Sequence, residues 1–159
     1  MSAVQTVTFD GPFAMQRGVL QSPTFAYETW GELNAAKDNC VLIFTGLSPS
    51  AHAASSSADP SAGWWEDMVG PSKPIDSDRY HIICVNSLGS CFGTTGPASI
   101  NPATNELYRL SFPILTVEDV ANSAACILDH IGVSKLHTVI GSSMGGMTAL
   151  AFCLTQPGR

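Results

Sequence analysis

Leu136-His137-Thr138-Val139-Ile140-Gly141-Ser142-Ser143-Met144-Gly145-Gly146 joins a β-branched run to a stretch of helical composition, Met147 to Leu154. A glycine two residues either side of Ser143, with Gly146 beyond, is the pattern of a nucleophile elbow. A serine at the apex of a sharp strand-to-helix turn sits in strained backbone, and only neighbours without side chains let the helix approach the strand closely. The run from Leu136 predicts a short, buried parallel strand, and Ser143 is the expected nucleophile that forms a covalent acyl-enzyme. A helix starting at this serine aims free N–H groups and its positive dipole end at the hydroxyl, which makes the Met144 amide one donor to an oxyanion.

Upstream, Thr116-Val117-Glu118-Asp119 offers an N-cap hydroxyl and acidic groups over a dipole end, Val117, Val120, Ala121, Ala124, Leu128 and Ile131 recur at helical spacing, and Gly132 supplies a stop. Strand, helix, strand and helix therefore alternate toward the C-terminus, which predicts an α/β fold with a mostly parallel sheet and helices on both faces. Earlier strands are expected at 6–9, 25–30, 41–44 and 80–85. A short helix is expected over Trp64-Trp65-Glu66-Asp67-Met68-Val69 before Gly70-Pro71. The glycine- and proline-rich excursion from Gly89 to Pro102 is too long for a tight connection, and such excursions are usually functional or mobile.

Both oxyanion donors must converge above the carboxyl edge of the sheet, so the second is sought in the loop after an earlier strand. Thr45-Gly46-Leu47-Ser48-Pro49 occupies that place after the Val41 strand and nominates the Leu47 amide; an ordinary Gly-Pro turn is the alternative. His52 in the same region is expected to be structural or to line a rim.

The 159 residues, 45% hydrophobic and 13% charged, suit one globular domain at most. A net charge of -6 with seven scattered basic residues argues against nucleic acid or an anionic membrane as partner. No apolar run approaches the ~18 residues of a span, and the N-terminal stretch from Met1 lacks the regions of a signal peptide, so a cytoplasmic location is expected. Cys40, Cys84, Cys91, Cys126 and Cys153 form no metal-ligand spacing and no even framework. They are expected as reduced thiols, four of them as small core residues, while Cys91 sits in a glycine-rich loop from which it could approach a site. No metal and no bound cofactor are expected.

A nucleophilic serine of this architecture needs a carboxylate and then a histidine downstream, yet no His, Asp or Glu follows Ser143. The histidines stand at 52, 81, 130 and 137; His137 points away from the elbow and His130 suits a helix end. An upstream arrangement with His52 as base is conceivable on other folds. The expectation is that residues 1–159 are the N-terminal part of a single catalytic domain, truncated after the elbow helix and lacking lid, acid and base. Such a piece would expose a sheet edge and an apolar face.

Tyr27-Glu28-Thr29-Trp30-Gly31, Asn86-Ser87-Leu88-Gly89-Ser90-Cys91, Gly93-Thr94-Thr95-Gly96-Pro97-Ala98-Ser99 and Ser143-Met144-Gly145-Gly146-Met147 together resemble the homoserine O-acetyltransferase family, from about Phe13 onward. The resemblance implies an α/β-hydrolase fold and acyl-CoA-dependent transfer to the hydroxyl of L-serine or L-homoserine in cysteine or methionine biosynthesis. Gly46-Leu47-Ser48-Pro49 looks like the substrate-binding loop of the serine O-succinyltransferase branch, and Ser142 replaces a glycine common in acetyltransferase members, which favours succinyl over acetyl. By the same resemblance Ser143 is the nucleophile, Leu47 and Met144 are the oxyanion donors, acyl-CoA is a cosubstrate in a ping-pong reaction, and the full-length protein is a homodimer. A C-terminal fragment chain is a further possible partner, and this chain alone is expected to be inactive. The seven basic residues show no cluster for the phosphates of CoA, so its binding residues stay unassigned. A serine esterase or thioesterase is the alternative activity, and a catalytically incomplete binding module the alternative class.

Overall fold

Alternation along the central strands divides the core in two. The computed structural model describes residues 3–159; Met1 and Ser2, on which the reading of the N-terminal stretch also rests, lie outside the described residues. In chain order come β1 (Gln5–Thr8), the hairpin β2 (Pro12–Met15) and β3 (Gly18–Gln21), β4 (Thr24–Trp30), β5 (Cys40–Phe44), the short β6 (Val69–Gly70) and β7 (Ile75–Asp76), β8 (His81–Val85), the short β9 (Ile100–Asn101) and β10 (Glu106–Leu107), α1 (Val117–Ile131), β11 (Thr138–Gly141) and α2 (Met144–Thr155). A single turn of 3-10 helix covers Arg109–Ser111.

The main sheet has the order β1-β4-β8-β5-β11. Its β8–β5 and β5–β11 pairings are parallel, whereas β1–β4 and β4–β8 are antiparallel, so the sheet is mixed and its parallel half carries the elbow. Parallel neighbours need a long crossover, usually helical, and among the described residues of the N-terminal third there is no helix. Cys40, Leu42, Phe44, Ile83 and Val85 face one side, where α1 and α2 cover them. Val41, Ile43, Ile82 and Cys84 face the other, under Trp30, Ala53, Ala54, Val69 and Ile75. Among the described residues both α-helices thus lie on one face, and segment 51–76 closes the other.

Helix α1 begins and ends where its sequence says. Thr116 and Asp119 form a reciprocal capping box, and Gly132 ends the helix at φ 79°. Asp119 is fully buried and also accepts the Gln16 amide at 2.8 Å, which ties the β2–β3 hairpin to the helix.

Three expectations need correction. Residues 64–68 are turns rather than a helix, because the Glu66 carboxylate is taken by the Ser55 amide (2.7 Å), the Ser55 hydroxyl (2.8 Å) and the Gly63 amide (3.0 Å), and Val69–Gly70 pairs with β7. Strand β11 starts two residues later than Leu136 and is half-exposed instead of buried, since among the described residues it is the outermost strand with β5 alone as neighbour. Cys153 is exposed and Cys126 half-buried, while Cys40 and Cys84 are in the core. Helix α2 is apolar on every side, so composition could not tell which face turns outward; Met147, Leu150 and Leu154, the last 82% exposed, share the open side with Cys153. All five thiols are free, and burial pushes that of Cys40 up to about 12.

Candidate active site

Parallel pairing of β5 with β11 sets Gly141 beside Phe44, so both strands end at the same carboxyl edge. The two segments that leave that edge, 45–49 and 142–144, are therefore neighbours. Ser143 stands between β11 and α2 with φ 54° and ψ -124°, a backbone conformation that costs an L-residue on the order of 1–3 kcal/mol and persists only where its surroundings enforce it.

The glycines are what enforce it. A Cβ on Gly141 would lie 2.1 Å from the Gly145 carbonyl oxygen, and one on Gly145 would lie 2.3 Å from that of Phe44. No side chain fits in either place, so the first turn of α2 presses directly on the ends of β11 and β5. The Gly145 amide donates to the Ser142 carbonyl at 2.9 Å and the Gly146 amide to that of Ser143 at 3.0 Å, which closes the turn. The Ser143 side chain is exposed at its apex.

Gly46 is buried against the elbow; a Cβ there would be 3.8 Å from that of Ser143. Leu47 follows with its side chain 78% exposed, and Ser48 and Pro49 continue the loop outward. Leu47 follows Gly46 and Met144 follows Ser143 in the chain, and among the described residues the amide of neither donates a hydrogen bond within the chain. For Met144 this follows from its place as first residue of α2, where no earlier helical carbonyl can accept.

No histidine reaches Ser143 among the described residues. His52 Nδ1 is 2.9 Å from Glu28 Oε2, and its Nε2 is 3.0 Å from the Ser61 carbonyl and 3.2 Å from the Ser61 hydroxyl. Glu28 is 1% exposed, on the face of β4 that looks toward segment 51–76, so His52 is a structural partner of a buried carboxylate. Burial alone would lower the His52 pKa, but the hydrogen bonds to Glu28 and the Ser61 carbonyl and the charges of Glu28 and Asp59 raise it above the usual imidazole value. His81 Nδ1 meets the Gly31 carbonyl at 3.0 Å, His137 packs on the Tyr80 ring at 4.7 Å, and His130 lies in the last turn of α1.

A family model described as the alpha/beta hydrolase fold matches residues 39–159, the whole of the parallel half with its elbow. The chain belongs to the α/β-hydrolase fold family. One α/β-hydrolase relative, named serine O-succinyltransferase, from Litchfieldella anticariensis, is 60% identical over 153 residues, covering 96% of this chain and 42% of the relative. Among solved structures, the homoserine O-acetyltransferase of Bacillus anthracis superposes with a TM-score of 0.88 at 34% identity over 99% of this chain and 44% of that one. An esterase superposes with a TM-score of 0.87 at 37% identity over 98% of this chain and 45% of that one. The chain spans roughly two fifths of the length of the curated relatives it matches.

Sequence reasoning did not anticipate a cavity that borders the outer part of the 45–49 loop. A cavity of about 420 Å³ opens between Leu47 and Ser48 on one side and Ser90, Cys91, Phe92 and Pro97 on the other. The far wall is rigidly tethered: Asn86 Nδ2 donates to Ser90 Oγ at 2.7 Å, the Gly89 amide to the Thr95 carbonyl at 3.0 Å, and the Ala26 amide to Thr94 Oγ1 at 2.9 Å. Its only signal in the sequence was the length of the excursion after β8, with Cys91 in it. Among the described residues no group of three or more His, Cys, Asp or Glu could hold a metal ion, and no helix is long and apolar enough to cross a membrane.

Proposed function

We propose that the protein transfers an acyl group, succinyl in preference to acetyl, from acyl-CoA to the hydroxyl of L-serine or L-homoserine, by way of a covalent acyl-Ser143. The observation that carries this reading is the strained, exposed Ser143 beside the buried Gly46, in a chain 60% identical to a protein named serine O-succinyltransferase. Ser143 Oγ attacks the thioester carbonyl, its proton passes to a general base, and the thiol of CoA departs with a proton. The acceptor hydroxyl then attacks the ester, surrenders its proton to the same base, and frees Ser143 as the O-acyl amino acid leaves. The Leu47 and Met144 amides hold the oxyanion in each half, a contribution of about 3–4 kcal/mol per donor in comparable sites. Gly46, Leu47, Ser48 and Pro49 form the edge on which the acceptor is selected.

On this reading residues 1–159 form the N-terminal part of one catalytic domain, and the base and its carboxylate lie outside them. The reading further entails a cytoplasmic homodimer that supplies cysteine or methionine biosynthesis. The test is product analysis with succinyl-CoA and L-serine: O-succinylserine and free CoA should form in equal amounts with the full-length protein and should not form with Ser143→Ala. Similarity to a solved esterase supports a second reading, in which water replaces the amino acid. Free succinate without O-succinylserine or O-succinylhomoserine would decide for hydrolysis.

A further inference from the structure

The loop that starts at Gly46, beside Ser143, is tied down at both ends. On the strand side Thr45 is buried, and its hydroxyl lies 3.2 Å from that of Ser87. On the far side the Trp64 indole N–H donates to the Ser50 carbonyl at 2.9 Å, and the His52 amide donates to the Ser50 hydroxyl at 3.2 Å. Between these anchors the loop folds on itself: a Cβ on Gly46 would be 3.8 Å from Pro49 Cδ and 3.8 Å from Ser143 Cβ. Ser143, Gly46, Pro49, Ser50 and His52 thus form one line of contacts. The His52 ring makes the next link. Its Nδ1 is 2.9 Å from Glu28 Oε2 and its Nε2 is 3.0 Å from the Ser61 carbonyl, and both of these partners are acceptors. A neutral imidazole has one N–H and satisfies one of them, whereas the imidazolium donates to both. The Ser61 hydroxyl does not serve as the missing donor, because it gives its proton to Asp59 at 2.6 Å.

Resting on the acyl-transfer reading, we infer that Glu28 and His52 are positioning residues for that reaction: the doubly protonated His52 ties segment 50–61 to the sheet and so holds the 46–49 loop against Ser143, and loss of its proton loosens the loop and slows acylation. The carboxylate decides which bond breaks. Glu28 is 1% exposed, and its Oε1 has no hydrogen-bond partner among the described residues, so a donor on Oε2 is costly to lose. A neutral ring keeps its remaining N–H on that buried oxygen and gives up the carbonyl of exposed Ser61. Among the described residues, the groups that face the ring favour its proton. Glu28 reaches it from β4 and Asp59 from its own segment, where bonds from the Ser61 hydroxyl and amide hold the Asp59 carboxyl below its usual range. The Cys84 thiol on β8, opposite Glu28, is pushed up by burial and by Glu28 and stays neutral. The folded His52 pKa lies above its usual value, so the tie is complete below about pH 6.5 and is lost as pH rises through the folded value.

Acylation is followed by itself, because the later half of the reaction carries the acceptor's own ionisations. The full-length protein is mixed with succinyl-CoA at a series of pH values from about 6 to 9.5, quenched in acid after milliseconds to seconds, and the ester on the Ser143 peptide is measured by mass spectrometry. Hydrogen exchange of peptides within 45–63, divided by the intrinsic rate at each pH, reports the loop on the same preparation. The wild-type rate constant should fall at least about tenfold toward alkaline pH, a part of the roughly 10²–10³-fold that loss of one oxyanion donor costs. The half-saturating succinyl-CoA concentration should stay within about twofold, the split expected of a group that positions rather than binds. Loop protection should fall at the same pH. Glu28→Gln, which offers the ring an amide in place of the carboxylate, should move both transitions at least about one pH unit lower. His52→Gln should remove both transitions and leave the slower rate throughout. An alkaline fall that stays in place in Glu28→Gln, or no fall at all, would overturn the inference. Acylation of Ser143 with loop protection indifferent to pH and to both variants defeats this inference alone. Loop protection that titrates and shifts in Glu28→Gln, with no ester on Ser143 at any pH, defeats the transfer reading and leaves the tie standing.

Discussion

Ser143 and Ser61 stand in opposite situations. Ser61 has the side-chain company of a catalytic serine: its hydroxyl is 3.2 Å from His52 Nε2, and His52 Nδ1 is 2.9 Å from Glu28. Yet its hydroxyl proton goes to Asp59 at 2.6 Å, and its backbone is not among those with positive φ. Among the described residues Ser143 has no histidine beside it, but it has the strained backbone, the helix start and the neighbouring Gly46. Members of a catalytic relay can be delivered by another part of a polypeptide. An elbow closed by Gly141 and Gly145 must be folded in place, which is why the proposed nucleophile is argued from the backbone and not from the residue list.

Exchanging the two hydroxyls should separate the sites most widely. Ser143→Ala should lower transfer by the full-length protein on the order of 10⁶-fold, as loss of a serine nucleophile does in a protease, whereas Ser61→Ala should stay within about twofold. Equal losses in a steady-state assay would erase the distinction. Next in size is Gly145→Ala, whose methyl would lie 2.3 Å from the Phe44 carbonyl; it should cost about 3 kcal/mol in denaturant unfolding and abolish transfer with it. Gly146→Ala, where the nearest atom is the Gly141 carbonyl at 3.3 Å, should cost less, and the order of the two reports how tightly the elbow is packed.

The Ser61 side is sharpened by pH. Because the His52 pKa is raised in the folded protein, its contribution to stability is complete below the unfolded value of about 6.5 and fades as pH rises through the folded value. His52→Gln should therefore lower Tm more at pH 6 than at pH 9, with a loss of about 1–3 kcal/mol at the acid end, where a buried carboxylate loses its charged partner. A pH-independent difference would mean that His52 stays neutral in the fold. The smallest effect belongs to Glu66, held down to about 2 by the Ser55 and Gly63 amides, the Ser55 hydroxyl and Lys73. Glu66→Gln should lower Tm at neutral pH, and the difference should shrink as acid carries the wild-type carboxylate from about 4.5 toward 2.

Much of this was legible beforehand where local chemistry and tertiary context agree. The caps of α1, the run at 40–44, the strand at 81–85 and the elbow glycines all declare themselves within a few residues of where they act. What stayed hidden depends on pairing across the chain. The β2–β3 hairpin is held by Asp119, 103 residues from its Gln16 partner. The turns at 64–68 owe their shape to Ser55, and the half-exposure of β11 to its outermost place in the sheet. Glu28 lies on a strand expected at 25–30, but only the position of His52 reveals a partner for its buried Oε2. The cavity at Cys91 is formed by two loops more than forty residues apart in sequence, so neither loop alone announces it.

The most direct test of the central claim, that the elbow and not the relay marks the nucleophile, is to quench the full-length protein with acid seconds after adding succinyl-CoA and to map the adduct by peptide mass spectrometry. A succinyl ester on the peptide that contains Ser143, absent from Ser143→Ala and retained in Ser61→Ala, is the predicted result. An adduct on the peptide that contains Ser61, or one that survives in Ser143→Ala, would contradict it.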